Sequence, residues 1–131
     1  MYKGGNLNAA LNAALGRLGH TELTCVSDCG LPIPDGPQRV DLAYKLGSPP
    51  FLEVLEVLAG QMVVEKLIFA QEILDQNPGL FQSATALFPG IPWEVIPHQA
   101  LKELTRDCRI VVRTGEATPY ANVILQSGCI F

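Results

Sequence analysis

Residues Arg17 to Pro34 read RLGHTELTCVSDCGLPIP. Three kinds of local structure meet in these eighteen positions. Gly19 is a natural helix stop, because glycine adopts the left-handed conformation cheaply. Glu22 to Asp28 is rich in β-branched and apolar residues and predicts a strand. Cys29 to Pro37 holds three prolines and two glycines, which predicts a loop. A helix, a strand and a stiff loop in that order are the opening of an α/β fold, with Asp28 at the carboxyl end of a strand.

On the amino-terminal side, Leu11, Ala14, Leu15 and Leu18 recur at helical spacing, so a helix is expected from Leu7 or Asn8 to Gly19. On the carboxyl side, strands are expected at Gln38–Tyr44, Val63–Ala70, Trp93–Pro97, Arg109–Arg113 and Asn122–Gln126. The segment Val63–Ala70 also fits helical spacing through Val64, Leu67, Ile68 and Gln71. Helices are expected after Ser48-Pro49-Pro50, from Asn77-Pro78 to about Phe88, and over His98–Thr105. Proline in a first helical turn and Glu53 facing the helix dipole support these starts. The alternation predicts a three-layer α/β/α fold with a largely parallel, mixed six-stranded central sheet. In such sheets ligands bind beyond the carboxyl ends of the strands.

The bulk properties limit the function classes. At 131 residues one domain, 1–131, is expected. The net charge of −4 argues against nucleic acid or an anionic membrane surface as partner. No apolar run approaches the roughly 20 residues of a membrane span. MYKGGNLNAALNAAL lacks the greasy centre of a secretory signal, so the cytoplasm is the expected location. Hydrophobic residues make up 48% and charged residues 17%, with a mean hydropathy of +0.24. A chain this apolar is expected to cover part of its surface with copies of itself. Cys25, Cys29, Cys108 and Cys129 read as buried, reduced thiols. Three residues separate Cys25 from Cys29, which misses the usual zinc-knuckle spacing, and no metal is expected.

Six residues are candidates for chemistry. His20 and His98 are the only histidines, and proton transfer near neutral pH would use one of them. His20, after a predicted helix end, is either a proton donor held charged by the helix dipole or simply a capping residue. Asp28 is either an acceptor for a ligand hydroxyl or the centre of an Asx-turn. His98 and Lys102, four apart, share one helix face, which taken alone reads as solvated. Tyr120 and Asn122, taken as strand residues, project to one face and offer neutral two-way hydrogen bonding suited to sugar hydroxyls. Arg39 and Asp41, two apart on the second strand, read as a surface ion pair. No glycine-rich phosphate loop and no nucleophile elbow stands out. Proton transfer on a small polar ligand is favoured over phosphoryl or acyl transfer.

Four stretches then carry a resemblance: RLGHTELTCVSDCGLPIPDG from Arg17, RVDLA from Arg39, MVVEKLIFAQEI from Met62 and RTGEATPYANVIL from Arg113. Together they resemble the D-ribose pyranase family, from Leu7 to Phe131, with a related fucose mutarotase family sharing the general fold. The GLPIP loop and the TPYAN ending look more like the ribose branch. The resemblance implies interconversion of the β-pyranose and β-furanose forms of D-ribose, with no cofactor. It implies His20 as proton donor and Asp28, His98, Lys102, Tyr120 and Asn122 as sugar contacts. It also implies ring-shaped homo-oligomers, decamers of two pentamers, with the pocket completed at a subunit interface. Cys29 stands where alanine is common and places a thiol near the sugar. Two other readings stay open: a sugar-binding or transport-accessory protein without turnover, and a mutarotase for another monosaccharide such as fucose.

Overall fold

The buried strand residues sort onto two faces, as the two-residue period of a pleated strand requires. Val26, Leu67, Phe69, Ile110, Val112, Val123 and Leu125 point to one side, and Cys25, Ile68, Val111 and Ile124 to the other. A computed structural model describes residues 1–131. Its strands are β1 (Leu23–Ser27), β2 (Gln38–Asp41), β3 (Val64–Ala70), β4 (Trp93–Ile96), β5 (Cys108–Arg113) and β6 (Val123–Ser127). The helices are α1 (Ala9–Leu15), α2 (Phe51–Ala59), α3 (Ile73–Gln76), α4 (Pro78–Ala86) and α5 (His98–Leu104), the last followed by a 3-10 turn at Thr105–Asp107.

All six strands join one sheet in the order β2-β5-β1-β6-β3-β4. Every pairing is parallel except the two made by β6, which runs antiparallel between β1 and β3. The expected mixed, largely parallel sheet is therefore present, and its one reversed strand lies inside it. Val63–Ala70 resolves as a strand, with Leu67 and Phe69 buried on one face, Ile68 and Ala70 on the other, and both its edges hydrogen-bonded.

The two faces are covered unequally. Leu11 and Ala14 of α1, Val54, Leu55 and Leu58 of α2, Ile73 of α3 and Ala84 of α4 close the first face. The second is closed by α5, through Leu101 and Leu104, and by the loop residues Leu31 and Ile33. No helix is long and apolar enough to cross a membrane.

Several local expectations are corrected. The first helix ends at Leu15 with Gly16 as its cap, so Gly19 and His20 lie beyond the reach of its dipole. Asn77 does precede α4 but makes no side-chain cap bond. Its amide donates to Thr118 Oγ1 and to the Pro119 carbonyl, both at 3.0 Å, tying the start of α4 to the loop before β6. Asp41 pairs with Arg113 Nη1 at 2.9 Å instead of with Arg39, because β2 lies directly beside β5.

The segment after β5 fastens two parallel strands at their carboxyl ends. The Thr114 amide and hydroxyl both donate to the Ser27 carbonyl, and the Cys29 amide donates to the Glu116 carbonyl. Between them, a Cβ on Gly115 would overlap the Ser48 carbonyl, a contact that no side chain can make. Gly115→Ala is expected to destabilise the fold by about 1–3 kcal/mol, the usual cost of forcing extra atoms into a packed site. An unchanged urea midpoint in that variant would contradict this close approach.

Candidate active site

Five parallel strands end at one edge of the sheet, and four candidate residues follow from that edge. Asp28 succeeds β1 and His98 succeeds β4 after one proline, while Tyr120 and Asn122 precede the antiparallel β6. The direction of β6 brings Asn122 beside Asp28. They form a reciprocal pair: the Asp28 amide donates to Asn122 Oδ1 at 2.9 Å, and Asn122 Nδ2 donates to Asp28 Oδ2 at 2.8 Å. Asn122 is fully buried.

Asp28 also accepts at Oδ1 from the amides of Gly30 and Leu31, at 2.9 and 2.8 Å. The Asx-turn is therefore real and sets the start of the GLPIP loop. A carboxylate has about four acceptor directions. Three are taken by the protein, which leaves Asp28 one direction at Oδ2 for a ligand hydroxyl.

Tyr120 and Asn122 are not strand residues. Tyr120 has φ 55°, in the left-handed region that non-glycine residues seldom adopt, and the Asn122 amide donates to the Tyr120 carbonyl at 2.8 Å. This tight turn lets the Tyr120 ring stand edge-to-face against His98, with centroids 5.0 Å apart and planes at 85°. Asn77 holds the turn from outside through Thr118 and Pro119.

His98 opens α5, and its amide donates to the Glu72 carboxylate at 2.9 and 3.2 Å. An α-helix begins with unpartnered amides and a positive dipole end, so a carboxylate there is favourable. Nδ1 of His98 is buried with no protein partner, as suits a group facing a polar ligand. Lys102, one turn on, lines an open cleft of about 320 Å³ between α5 and Pro32, Ile33 and Pro34. The GLPIP loop thus forms a wall facing α5. No three His, Cys, Asp or Glu side chains converge as a metal site would require. Cys29 is half-buried at the loop's start, and Cys25 and Cys108 lie under α5. Burial raises the Cys25 thiol well above its usual range and pushes Cys108 up to about 12, so both are unreactive while covered.

His20 lies elsewhere. It precedes β1, whereas Asp28 follows it, and the five residues between strand ends span about 17 Å at ~3.3 Å per residue. Within one chain His20 lies at the opposite edge of the sheet from Asp28, His98, Tyr120 and Asn122, while Lys102 sits one turn along α5 over the sheet face. His20 is the second residue of a turn closed by the Glu22 amide donating to the Gly19 carbonyl, with Thr21 at φ 68°. The Glu22 carboxylate accepts from the Gly19 amide at 2.9 Å and from Arg109 Nε at 2.7 Å. The His20 ring meets Glu65 Oε2 through Nε2 at 2.9 Å, and Gln126 donates to Glu65 Oε1.

Glu22, Glu65, Glu72, Arg109 and Gln126 were not among the candidates read from the sequence. The visible signal was a charged Glu65-Lys66 pair inside an otherwise apolar strand. The partners of Glu22 and Glu72, 87 and 26 residues away, carry no local signature.

Comparison with known proteins narrows the class that this sheet edge defines, an α/β protein with polar side chains gathered beyond its strand ends. The model of the RbsD / FucU transport protein family matches residues 1–130. The D-ribose pyranase of Laribacter hongkongensis is 50% identical over 131 residues, covering the whole of both chains. The structure of Bacillus subtilis RbsD complexed with D-ribose superposes with a TM-score of 0.96 at 45% identity, again over both whole chains. The fucose mutarotase of Streptococcus pneumoniae, solved with L-fucose, shares the fold at a TM-score of 0.83, 18% identity and 95% coverage of each chain. The chain belongs to the RbsD / FucU transport protein family.

The Gly19 amide reports the ionisation of its partner. The Gly19 bond holds the Glu22 carboxyl below its usual 4.5, helped by Arg109, and the His20 and Gln126 bonds do the same for Glu65. Groups with depressed values hold their partners fully above the ordinary carboxylate range and release them as pH falls through the lowered value. The Gly19 amide resonance should therefore move with an inflection below 4.5, and the inflection should vanish in Glu22→Gln.

Proposed function

We propose that this chain interconverts the β-pyranose and β-furanose forms of D-ribose. The observation that carries the reading is its full-length similarity to a ribose-bound relative, combined with Asp28, His98, Tyr120 and Asn122 gathered at one sheet edge. Ring interconversion needs a proton on the ring oxygen as the bond from that oxygen to the anomeric carbon breaks. The anomeric hydroxyl gives up its proton, an open aldehyde forms, and a different hydroxyl closes the new ring. His20 supplies the proton, and Asp28, His98, Lys102 and Tyr120 hold the hydroxyls, with Asn122 fixing Asp28. Acid–base help of about 10²–10⁴-fold suits a reaction that needs no covalent intermediate or cofactor.

Because the two edges of one sheet are further apart than a pentose is long, His20 is proposed to serve the pocket of a neighbouring subunit. Apolar side chains lie exposed at both edges: Ile130 and Phe131 beyond β6, and Tyr44 and Leu46 beside Gly115. A contact joining unlike edges of two copies is heterologous, and such contacts form a ring when the rotation between copies closes. A decamer of two pentamers acting on ribose in the cytoplasm, each chain a single pyranase domain over 1–131, completes the proposal.

Saturation-transfer NMR on D-ribose should show accelerated pyranose–furanose exchange, and His20→Ala or Asp28→Ala should each abolish the acceleration. Co-refolding the two inactive variants should restore part of it, since some mixed interfaces then pair an intact His20 with an intact Asp28. No restoration would mean that both residues act within one chain. Ribose binding with exchange equal to buffer would replace the enzyme by a binding protein, and faster exchange of L-fucose than of ribose would replace the substrate.

A further inference from the structure

His20 is held by a device built from two irregularities in the sheet. In β3 the register against β6 shifts between Val64, paired with Ser127, and Lys66, paired with Gln126. Glu65 is the extra residue. In β5 the register against β1 shifts between Cys108, paired with Leu23, and Ile110, paired with Thr24. Arg109 is the extra residue there. Bulges of this kind turn a side chain away from the regular ladder. Both extra side chains reach the same four-residue turn: Arg109 binds Glu22, and Glu65 binds the His20 ring. The turn is further fixed by the Thr21 amide on the Ser127 carbonyl at 2.9 Å.

The chemistry of the contact assigns a proton. An ionised carboxylate only accepts hydrogen bonds. Glu65 is also kept ionised, because Gln126 donates to its other oxygen. The His20 nitrogen facing it must therefore carry hydrogen. We propose that Glu65 is a positioning residue that fixes the proton of His20 on Nε2, leaving Nδ1 as the nitrogen that gives and takes the sugar's proton. In the charged ring both nitrogens carry hydrogen, and Glu65 retains its own while Nδ1–H faces the substrate. After transfer to the ring oxygen, Nδ1 holds a lone pair ready for the return step, and the ring need not turn over. An aspartate selects the working tautomer of a catalytic histidine in hydrolases by the same logic.

The inference rests on the reading of His20 as proton donor, so the test has one readout that depends on it and one that does not. Nitrogen-15 spectra of histidine-labelled protein read the tautomer directly. The neutral His20 ring should be protonated on Nε2 in the intact protein and mixed in Glu65→Ala. Glu65→Gln, whose amide oxygen can still accept from Nε2–H, should keep the tautomer. In the ribose exchange assay Glu65→Ala should lower kcat by about 10–100-fold, less than the whole contribution of a general acid, with KM nearly unchanged. Glu65→Gln should lose less. Gln126→Ala, which leaves Glu65 in place, serves as a milder variant should Glu65→Ala unfold, and is expected to weaken the Nε2 preference without abolishing exchange. A neutral ring protonated on Nδ1 in the intact protein, or an Nε2 tautomer unaltered in folded Glu65→Ala, would overturn the assignment. Full exchange in His20→Ala would instead remove His20 from the reaction, whatever its tautomer.

Discussion

The antiparallel placement of β6 between β1 and β3 is the constraint on which the rest depends. A strand entering the sheet in reverse carries its first residues to the carboxyl edge of its neighbours and its last residues to their amino edge. Asn122, just before β6, meets Asp28. Gln126, near its end, meets Glu65 and through it His20. One five-residue strand therefore touches both halves of the proposed machinery. It is also buried on both faces, with Val123, Ile124 and Leu125 inaccessible, so neither end can shift register without moving its hydrophobic set to the wrong side.

The placement of polar groups around β6 follows an economy of partners. Asn122 is spent on Asp28, and Asp28 on the GLPIP loop, leaving a single acceptor direction free. Glu72 is spent on the first amide of α5, and Asn77 on the turn that presents Tyr120. Asp28, His98 and Tyr120 are thus each held in place by a neighbouring polar group. Two left-handed non-glycine residues, Thr21 and Tyr120, sit at the two sites, one at each sheet edge. Such conformations cost of order 1–3 kcal/mol each and persist where surroundings over-determine them. Here hydrogen bonds on both sides of each turn supply that constraint.

The sheet was legible in the sequence because strands buried on both faces are runs of β-branched and apolar residues and because proline and glycine mark the ends of elements. Val63–Ala70 was ambiguous only while its neighbours were unknown. Candidate residues near the strand ends were legible for a similar reason: Asp28 closes an apolar run and His98 follows a proline. The position of β6 in the sheet was not legible, since nothing local distinguishes an antiparallel interior strand from a parallel one. The distance between His20 and Asp28 was hidden as well. Eight residues apart in the chain, they look adjacent, yet a strand extends between them. Gly19 looked like a helix stop because glycine serves several turns, and Gly16 had the same claim. Arg109 and Glu65 could not be singled out, because a bulge is a property of paired strands and neither strand alone records it.

The unequal cover of the sheet's two faces has a consequence for how the molecule opens. A helix of seven residues has no stability of its own in water and exists only while docked. The second face rests chiefly on α5, which carries His98 and Lys102 and shields Cys25 and Cys108. Local opening of this helix is a low-energy excursion compared with loss of the first face, where four helices pack together. Whatever grips His98 and Lys102 also clamps the helix over the two thiols. A ligand held by His98 and Lys102 would therefore also slow the exposure of Cys25 and Cys108, and the rate at which a thiol reagent reaches them would report how often α5 lifts away.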